Sequence, residues 1–255
     1  IDEIPKNDAG KPINYTWEED NVGPAYTLTS QDPDGTVTTI TNTHKVYDTE
    51  VSVNKVWDDN DDQDGLRPSS VQVKLLANGN PAKDLDGKTV QPITLNAANS
   101  WKAKFDNIPL NDGGNVINYT VDEVTTDIIK GKNDSDDAEG TYKYSISGTA
   151  ENGYTVTNTH TPIVRTIKGE KIWADDDNRD GLRDSVTITL LADGQPAHHN
   201  DKDQTLVQPI TLSSDDAVEG NPNNWAYEFE NLPKYNHSKT PINYTVQESG
   251  VPDGY

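Results

Sequence analysis

The sequence predicts an all-β fold of tandem sandwich repeats, and three observations predict it. The apolar segments are short, rich in Val, Ile, Thr, Tyr and Trp, and interrupted by Gly, Pro, Asn and Asp, which is the strand-and-turn signature of a sandwich. Several of them alternate apolar and polar residues, and none carries a long helical period. The same blocks also return along the chain at a nearly constant spacing, as stacked copies of one unit require.

Within one unit the elements follow in order. Val51-Ser52-Val53-Asn54-Lys55-Val56-Trp57 alternates and reads as a strand. An acidic turn through Asp64-Gly65-Leu66-Arg67 follows, then Val71-Gln72-Val73-Lys74-Leu75, a second alternating strand. Asn78-Gly79 is a hairpin dipeptide. Gln91-Pro92-Ile93-Thr94-Leu95 comes next, and Trp101-Lys102-Ala103-Lys104-Phe105 sets aromatics on one face. Ile117-Asn118-Tyr119-Thr120 opens a later strand, Asp134-Ser135-Asp136-Asp137 reads as a solvated loop, and Thr157-Asn158-Thr159-His160 ends the unit.

The repeats set the domain organisation. Asn54–Asp59 returns as Glu170–Asp175 and Asp64–Arg67 as Asp180–Arg183, both displaced by 116 residues. Leu75–Gly79 returns at Leu190–Gly194, including the hairpin pair Asp193-Gly194, and Gln91–Leu95 returns at Gln208–Leu212. Ile-Asn-Tyr-Thr occurs from Ile13, Ile117 and Ile242, and Thr-Asn-Thr-His from Thr41 and Thr157. Residues 46–161 therefore hold a complete unit, 1–45 the C-terminal part of one, and 162–255 a unit without its last strand. With no Met and an abrupt start at Ile1, the expectation is a piece of a longer array. An alternative is that residues 27–45 of one chain complete 162–255 of the next. Residues 1–26 speak against it, because they duplicate blocks the last unit already has.

Composition narrows the function. Twenty-one basic residues stand against 43 acidic ones, a net charge of −22, which repels a phosphate backbone and excludes nucleic acid as the expected partner. No apolar run approaches the ~18 residues that span a bilayer, and no signal segment is visible. The absence of cysteine removes disulfides, thiolate metal sites and thiol nucleophiles. The apolar set is 31% of the chain, and glycine brings it to about 38%, below the ~45–50% usual for globular chains. Cores this thin, without disulfides, call for some other staple.

Three polar residues fall on the core face. Strand residues two apart share a face, so Lys55 lines up with Val51, Val53 and Trp57, Glu123 with Ile117, Tyr119 and Val121, and Asn158 with Tyr154 and Val156. The third unit repeats this with Ile167, Gly169, Lys171, Trp173 and with Ile242, Tyr244, Val246, Glu248. The first repeats it with Ile13, Tyr15, Trp17, Glu19 and with Thr38, Ile40, Asn42. Burial pushes both Lys and Glu toward their neutral forms. A neutral amine can attack a carboxamide while a protonated acid polarises it and shuttles protons, giving a Lys–Asn isopeptide bond and ammonia. Two structural readings stay open beside it: a buried Lys–Glu ion pair with Asn bonded alongside, and rim side chains reaching out to water.

Together these blocks resemble a known family. Lys-x-Trp-Asp, Asp64 to Pro68, Trp101 with Phe105, Ile108-Pro109, Tyr119-Thr120-Val121-x-Glu123 and Thr157-Asn158-Thr159-His160 are similar to the B-type repeats of collagen-binding adhesins (Cna B-type domains) of Gram-positive surface proteins and pilins. The resemblance spans 46–161, most of 162–255 and the repeat end in 1–45. It implies a transthyretin-like, inverse immunoglobulin-like sandwich and a spontaneous Lys–Asn bond promoted by a carboxylic acid. Lys55 matches the amine, Glu123 the acid and Asn158 the amide. Lys171 and Glu248 match in the third unit, Glu19 and Asn42 in the first, the missing member lying outside the chain each time. The acidic insertion after Glu123 is expected to alter a loop only.

The function this implies is a stalk of a cell-wall-anchored, extracellular bacterial surface protein. It would carry a distal domain toward host matrix protein or glycan, with neighbouring repeats of the same chain as its own partners and a monomer as its expected state. Two alternatives are repeats that themselves grip matrix or glycan, and assembly by strand complementation between chains. A turnover enzyme is the least supported class, and no cofactor is expected. Asn60-x-Asp62-x-Asp64-Gly65 and Asp176-x-Asn178-x-Asp180-Gly181 mimic the start of a calcium loop. Val71 and Thr187 stand where the bidentate Glu belongs, so a charged turn is expected and no metal site. His198-His199 reads as a surface loop, and the Asn-x-Thr sequons at Asn14, Asn118 and Asn243 read as strand positions.

Overall fold

The structure, a computed structural model, describes residues 1–35, 37–132, 140–200 and 204–255. These residues are all-β apart from two 3₁₀ turns, Ala97–Asn99 and Ser214–Asp216. No helix among them is long and apolar enough to cross a membrane.

The N-terminal segment is built from two hairpins. Strands β1 (Asn7–Asp8) and β2 (Lys11–Pro12) form one, and β3 (Tyr26–Asp34) and β4 (Val37–His44) the other. The alternating stretch from Ile13 to Glu19, expected as a strand, is not one. Tyr15 is 48% exposed and Trp17 45%. The reason is pairing: the equivalent central strand forms its ladder with a partner that has no counterpart among residues 1–45.

The central unit is a two-sheet sandwich. Its strands are β5 (Asp48–Asp58), β6 (Ser70–Ala77), β7 (Asn80–Pro81), β8 (Ile93–Asn96), β9 (Lys102–Pro109), β10 (Asn111–Asp112), β11 (Asn115–Val116), β12 (Tyr119–Glu123), β13 (Ile129–Lys132), β14 (Tyr142–Thr149) and β15 (Gly153–Thr159). One sheet runs β13-β14-β15-β5-β9; the facing sheet joins β12, β7 and β8 to β6. The alternation read from the sequence is the burial observed: Val51, Val53, Val71, Val73 and Leu75 face inward and are 4% exposed or less. They pack with Leu95, Phe105, Ile108 and Tyr142, each worth ~1.5–3 kcal/mol of apolar burial. Asn78 and Gly79, both at positive φ, make the tight turn between β6 and β7. The insertion after Glu123 does more than alter a loop. It adds β13, which pairs parallel with β14 and buries Ile129 to 1% exposure. The Asp134–Asp137 stretch lies outside the described residues.

The third unit repeats the plan with β16 (Val164–Ile172), β17 (Val186–Ala192), β18 (Gln195–Pro196), β19 (Ile210–Leu212), β20 (Ala217–Val218), β21 (Asn221–Pro233) and β22 (Tyr244–Ser249). Its sheets are β16-β21-β20 and β17 with β18, β19 and β22. Nothing equivalent to β14 and β15 is present among its described residues, and Val246 is consequently 43% exposed.

One tie recurs in all three units. The tyrosine of Ile-Asn-Tyr-Thr donates its hydroxyl to a proline carbonyl ten or eleven residues earlier: Tyr15 to Pro5 at 2.7 Å, Tyr119 to Pro109 at 2.7 Å and Tyr244 to Pro233 at 3.0 Å. Asn118 and Asn243, read as strand positions, sit just before β12 and β22 rather than within them.

The units differ in a cross-strand pair that is partly buried apart from Val53. Val53 on β5 faces Ala103 on β9, whereas Gly169 on β16 faces Tyr227 on β21. A Cβ added at Gly169 would overlap the Tyr227 hydroxyl, so the ring fills the volume the glycine vacates. Gly169→Val is expected to destabilise the third unit by ~1–3 kcal/mol through overpacking. The double change with Tyr227→Ala, which copies the central pair, should recover part of that loss. Chemical denaturation of the four variants of this cycle measures the coupling; additive losses would contradict the volume exchange.

Candidate functional site

Lys55, Glu123 and Asn158 come from three strands. On β5 and β15, parallel neighbours in one sheet, Val156 lies opposite Lys55 and Asn158 opposite Trp57. Glu123 ends β12 in the facing sheet, opposite Val73. Alternation sends all three side chains between the sheets, and the residues are 4%, 1% and 0% exposed. The rim reading, with Lys and Glu reaching water, does not hold. Asn158 donates Nδ2 to Glu123 Oε1 at 3.0 Å. Lys55 Nζ donates to the Val56 carbonyl at 2.7 Å and lies 3.9 Å from the Trp57 ring centroid. Glu123 Oε2 and Asn158 Oδ1 are buried with no hydrogen-bond partner among the described residues. Unmet polar atoms of this kind cost ~1–3 kcal/mol each.

The electrostatics follow from burial. Desolvation brings the Lys55 amine down to about 7, against the attraction of Glu123 and Asp59 and aided by Arg67. Desolvation also raises the Glu123 carboxyl, opposed by Lys55 and by the hydrogen bond from Asn158 and reinforced by Asp122. Both shifts favour the uncharged forms. The pocket can thus hold a nucleophilic amine, a protonated acid and a carboxamide together.

A second cluster, which the sequence reading missed, closes the end of this pocket. Asp59, 2% exposed, accepts two bonds from Arg67 at 2.6 and 3.0 Å, one from the Tyr142 hydroxyl at 2.9 Å and one from the Asp62 N–H at 3.0 Å. Burial raises the Asp59 carboxyl, and the Arg67, Asp62 and Tyr142 bonds outweigh it to leave the group lowered. Arg67 and Tyr142 both contact the Trp57 ring. The third unit builds the same knot from Asp175, Arg183, Tyr255 and Trp173. The repeated Asp59/Asp175 and Arg67/Arg183 positions were the available signal; what pairs with what was not visible in one dimension.

The partial copies hold the same residues in the open. Lys171 Nζ meets Glu248 Oε1 at 2.9 Å, with side chains 16% and 32% exposed. Asn42 donates to Glu19 at 2.7 Å, both residues exposed. The inward placement read for Glu19 and Asn42 is therefore corrected, whereas Glu248, opposite the buried Ile188 on β17, keeps the inward side and reaches water there. Among the described residues no strand of a closing sheet covers them.

The acidic turns are shaped by backbone. Asn60, Asp61 and Asp62 have φ of 51°, 62° and 61°, and Asp176, Asp177 and Asn178 have 54°, 61° and 60°. Three left-handed residues in succession are tolerable chiefly for Asn and Asp. Asp64 turns away from this loop. Its Oδ2 receives His160 Nε2 at 2.9 Å and the Ile163 N–H at 2.9 Å, while His160 Nδ1 faces the Thr141 carbonyl at 3.0 Å. His198 lies in an isolated bridge with Leu206.

Comparison with known proteins places these features. Residues 51–161 and 167–255 match the family model of the Cna protein B-type domain. Over 252 residues the chain is 36% identical to a collagen adhesin of Staphylococcus aureus, covering 98% of this chain and 18% of that protein. A crystal structure of two B repeat units (B1B2) of the collagen binding protein of Staphylococcus aureus superimposes with a TM-score of 0.59 at 34% identity. It covers 98% of this chain and 56% of that one. The chain thus spans about a fifth of the length of the curated relative it matches.

His160 gives the site a pH signature. Both its nitrogens face acceptors, so the imidazolium satisfies them best. Burial lowers its proton affinity, but Asp64, the Thr141 carbonyl and the nearby Asp59 outweigh it and raise the value. A raised histidine stabilises fully below its unfolded value and loses that contribution as pH rises through the folded one. Denaturation midpoints should therefore fall as pH rises above the ordinary histidine value of about 6.5, and the fall should vanish in His160→Gln. An unchanged slope in that variant would reject the assignment.

Proposed function

The chain belongs to the Cna protein B-type domain family, and from that premise we propose that it is a spacer segment of a bacterial cell-surface adhesin, stapled by an intramolecular Lys–Asn bond. The observation that carries this reading is the burial of Lys55, Glu123 and Asn158 between the two sheets. In the proposed reaction the neutral Lys55 amine attacks the Asn158 Cγ. Protonated Glu123 hydrogen-bonds the carboxamide oxygen and stabilises the developing charge. Half a turn of the carboxamide offers Oδ1 to the acid in place of Nδ2, which now holds Oε1. Glu123 passes a proton from the amine to the departing nitrogen. An Nζ–Cγ amide forms, the Cγ–Nδ2 bond breaks, and ammonia leaves. Fixed proximity of this kind is worth up to ~7–11 kcal/mol of barrier, and one turnover is enough.

The bond would join β5 to β15, the first and last strands of the unit spanning 46–161. By loop entropy, a closed loop of roughly 100 residues is worth ~4.7 kcal/mol. It would also keep the two parallel strands from sliding apart under tension. Lys171 with Glu248, and Glu19 with Asn42, are proposed as parts of equivalent sites. In this reading the distal part of the full protein, outside this chain, meets host matrix or glycan.

Intact mass spectrometry tests the cross-link. The native chain should weigh one ammonia less than its sequence, and Glu123→Ala should restore the full mass. A native mass equal to the sequence mass would refute the bond in residues 46–161.

A further inference from the structure

We propose that the left-handed acidic turn of each repeat is a socket, and that the hairpin before Ile-Asn-Tyr-Thr in the following repeat is the plug that fills it. The central turn and the third unit's hairpin at 234–241 make this joint. Gln63 Nε2 donates to the Tyr235 carbonyl at 3.3 Å, and His237 Nδ1 donates to the Asp62 carbonyl at 3.0 Å. Beside them the linker is fastened on both sides. The Ile163 N–H goes to Asp64 at 2.9 Å, and the Ile163 carbonyl accepts from the Lys234 N–H at 2.9 Å.

Gly65 records how closely the two repeats approach. It has φ of +62°, and a Cβ there would overlap the His237 carbonyl and lie 2.6 Å from the Lys239 nitrogen. Gly181 holds the same place in the third unit with φ of +66°, and a Cβ there meets nothing within 4 Å. The uncovered copy shows what the joint buries. Gln63 and Asp64 are each 1% exposed, whereas Arg179, the Gln63 counterpart, has a side chain 74% exposed, and Asp180 is exposed. Hairpins occupy the plug position in the other units as well, Asn7–Pro12 and Asn111–Val116. The turn and hairpin therefore lie at opposite ends of a repeat, which lets one joint follow another along an array.

The joint depends on the spacer reading only in treating repeats as neighbours in one chain; the cross-link has no part in it. The two glycines give a matched test. Both substitutions to Ala carry the same cost of a left-handed residue, but only Gly65→Ala pushes the plug away. The chain has no cysteine, so spin labels can be placed through Gln72→Cys on β6 and Thr211→Cys on β19. Pulsed dipolar spectroscopy should give one narrow distance in the parent chain and in Gly181→Ala, and a broad distribution in Gly65→Ala. Ile163→Pro, which removes the N–H donated to Asp64 and lies outside the named strands, should broaden it too and serves if Gly65→Ala does not fold. A broad parent distribution, or a narrow one in Gly65→Ala or Ile163→Pro, overturns the joint. Intact mass on the same samples reports the cross-link separately, so either reading can fail without the other.

Discussion

The central repeat is organised around the cost of keeping an amine, an acid and an amide out of water. Lys55, Glu123 and Asn158 are buried almost completely, and isolated charges cannot be held there at tolerable cost. Desolvation therefore drives both ionisable members toward neutrality. The rest of the sandwich serves that condition. Val51, Val53, Val121 and Val156 seal the strands around the pocket, and the Asp59–Arg67–Tyr142 knot closes the end beyond Trp57. The knot keeps its own charges paired, with Arg67 held against Asp59, so the pocket gains a lid without another unpaired charge.

The partial copies separate what the pocket needs from what the repeat needs. In the third unit the knot forms completely from Asp175, Arg183 and Tyr255, and the tyrosine-to-proline tie is intact. Yet Lys171 and Glu248 remain reachable by water and pair as ions at 2.9 Å. The knot is assembled from the early strands and one tyrosine, while dry surroundings for the lysine require the last two strands. Desolvation, and with it any chemistry of a neutral amine, thus depends on strands that the knot does not need.

Much of this could be read from the residues alone. Alternation placed Lys55, Glu123 and Asn158 on the core face, and the Asn78-Gly79 and Asp193-Gly194 turns lie where the dipeptides predict. Three things were not legible. A strand needs a partner, so the pattern from Ile13 to Glu19 misled: periodicity reports which face would be buried, not whether a sheet exists to bury it. The stretch after Glu123 hid β13, because Ile128 and Ile129 form only a two-residue apolar patch with no alternation around it. The Asp59 knot and the Asp64–His160 contact join residues 83 and 96 positions apart, and spacing within a single sequence carries no sign of such pairing.

The exchange of volume between Val53–Ala103 and Gly169–Tyr227 reaches beyond packing within one repeat. Tandem homologous units emerging from one chain risk mispairing, each strand being offered a near-identical neighbour while the chain folds. A β21 strand laid beside β5 would drive the Tyr227 ring into Val53, and a β9 strand beside β16 would leave a void over Gly169. The two repeats share a blueprint but carry incompatible keys at this pair, which disfavours exchange of β9 and β21 between them.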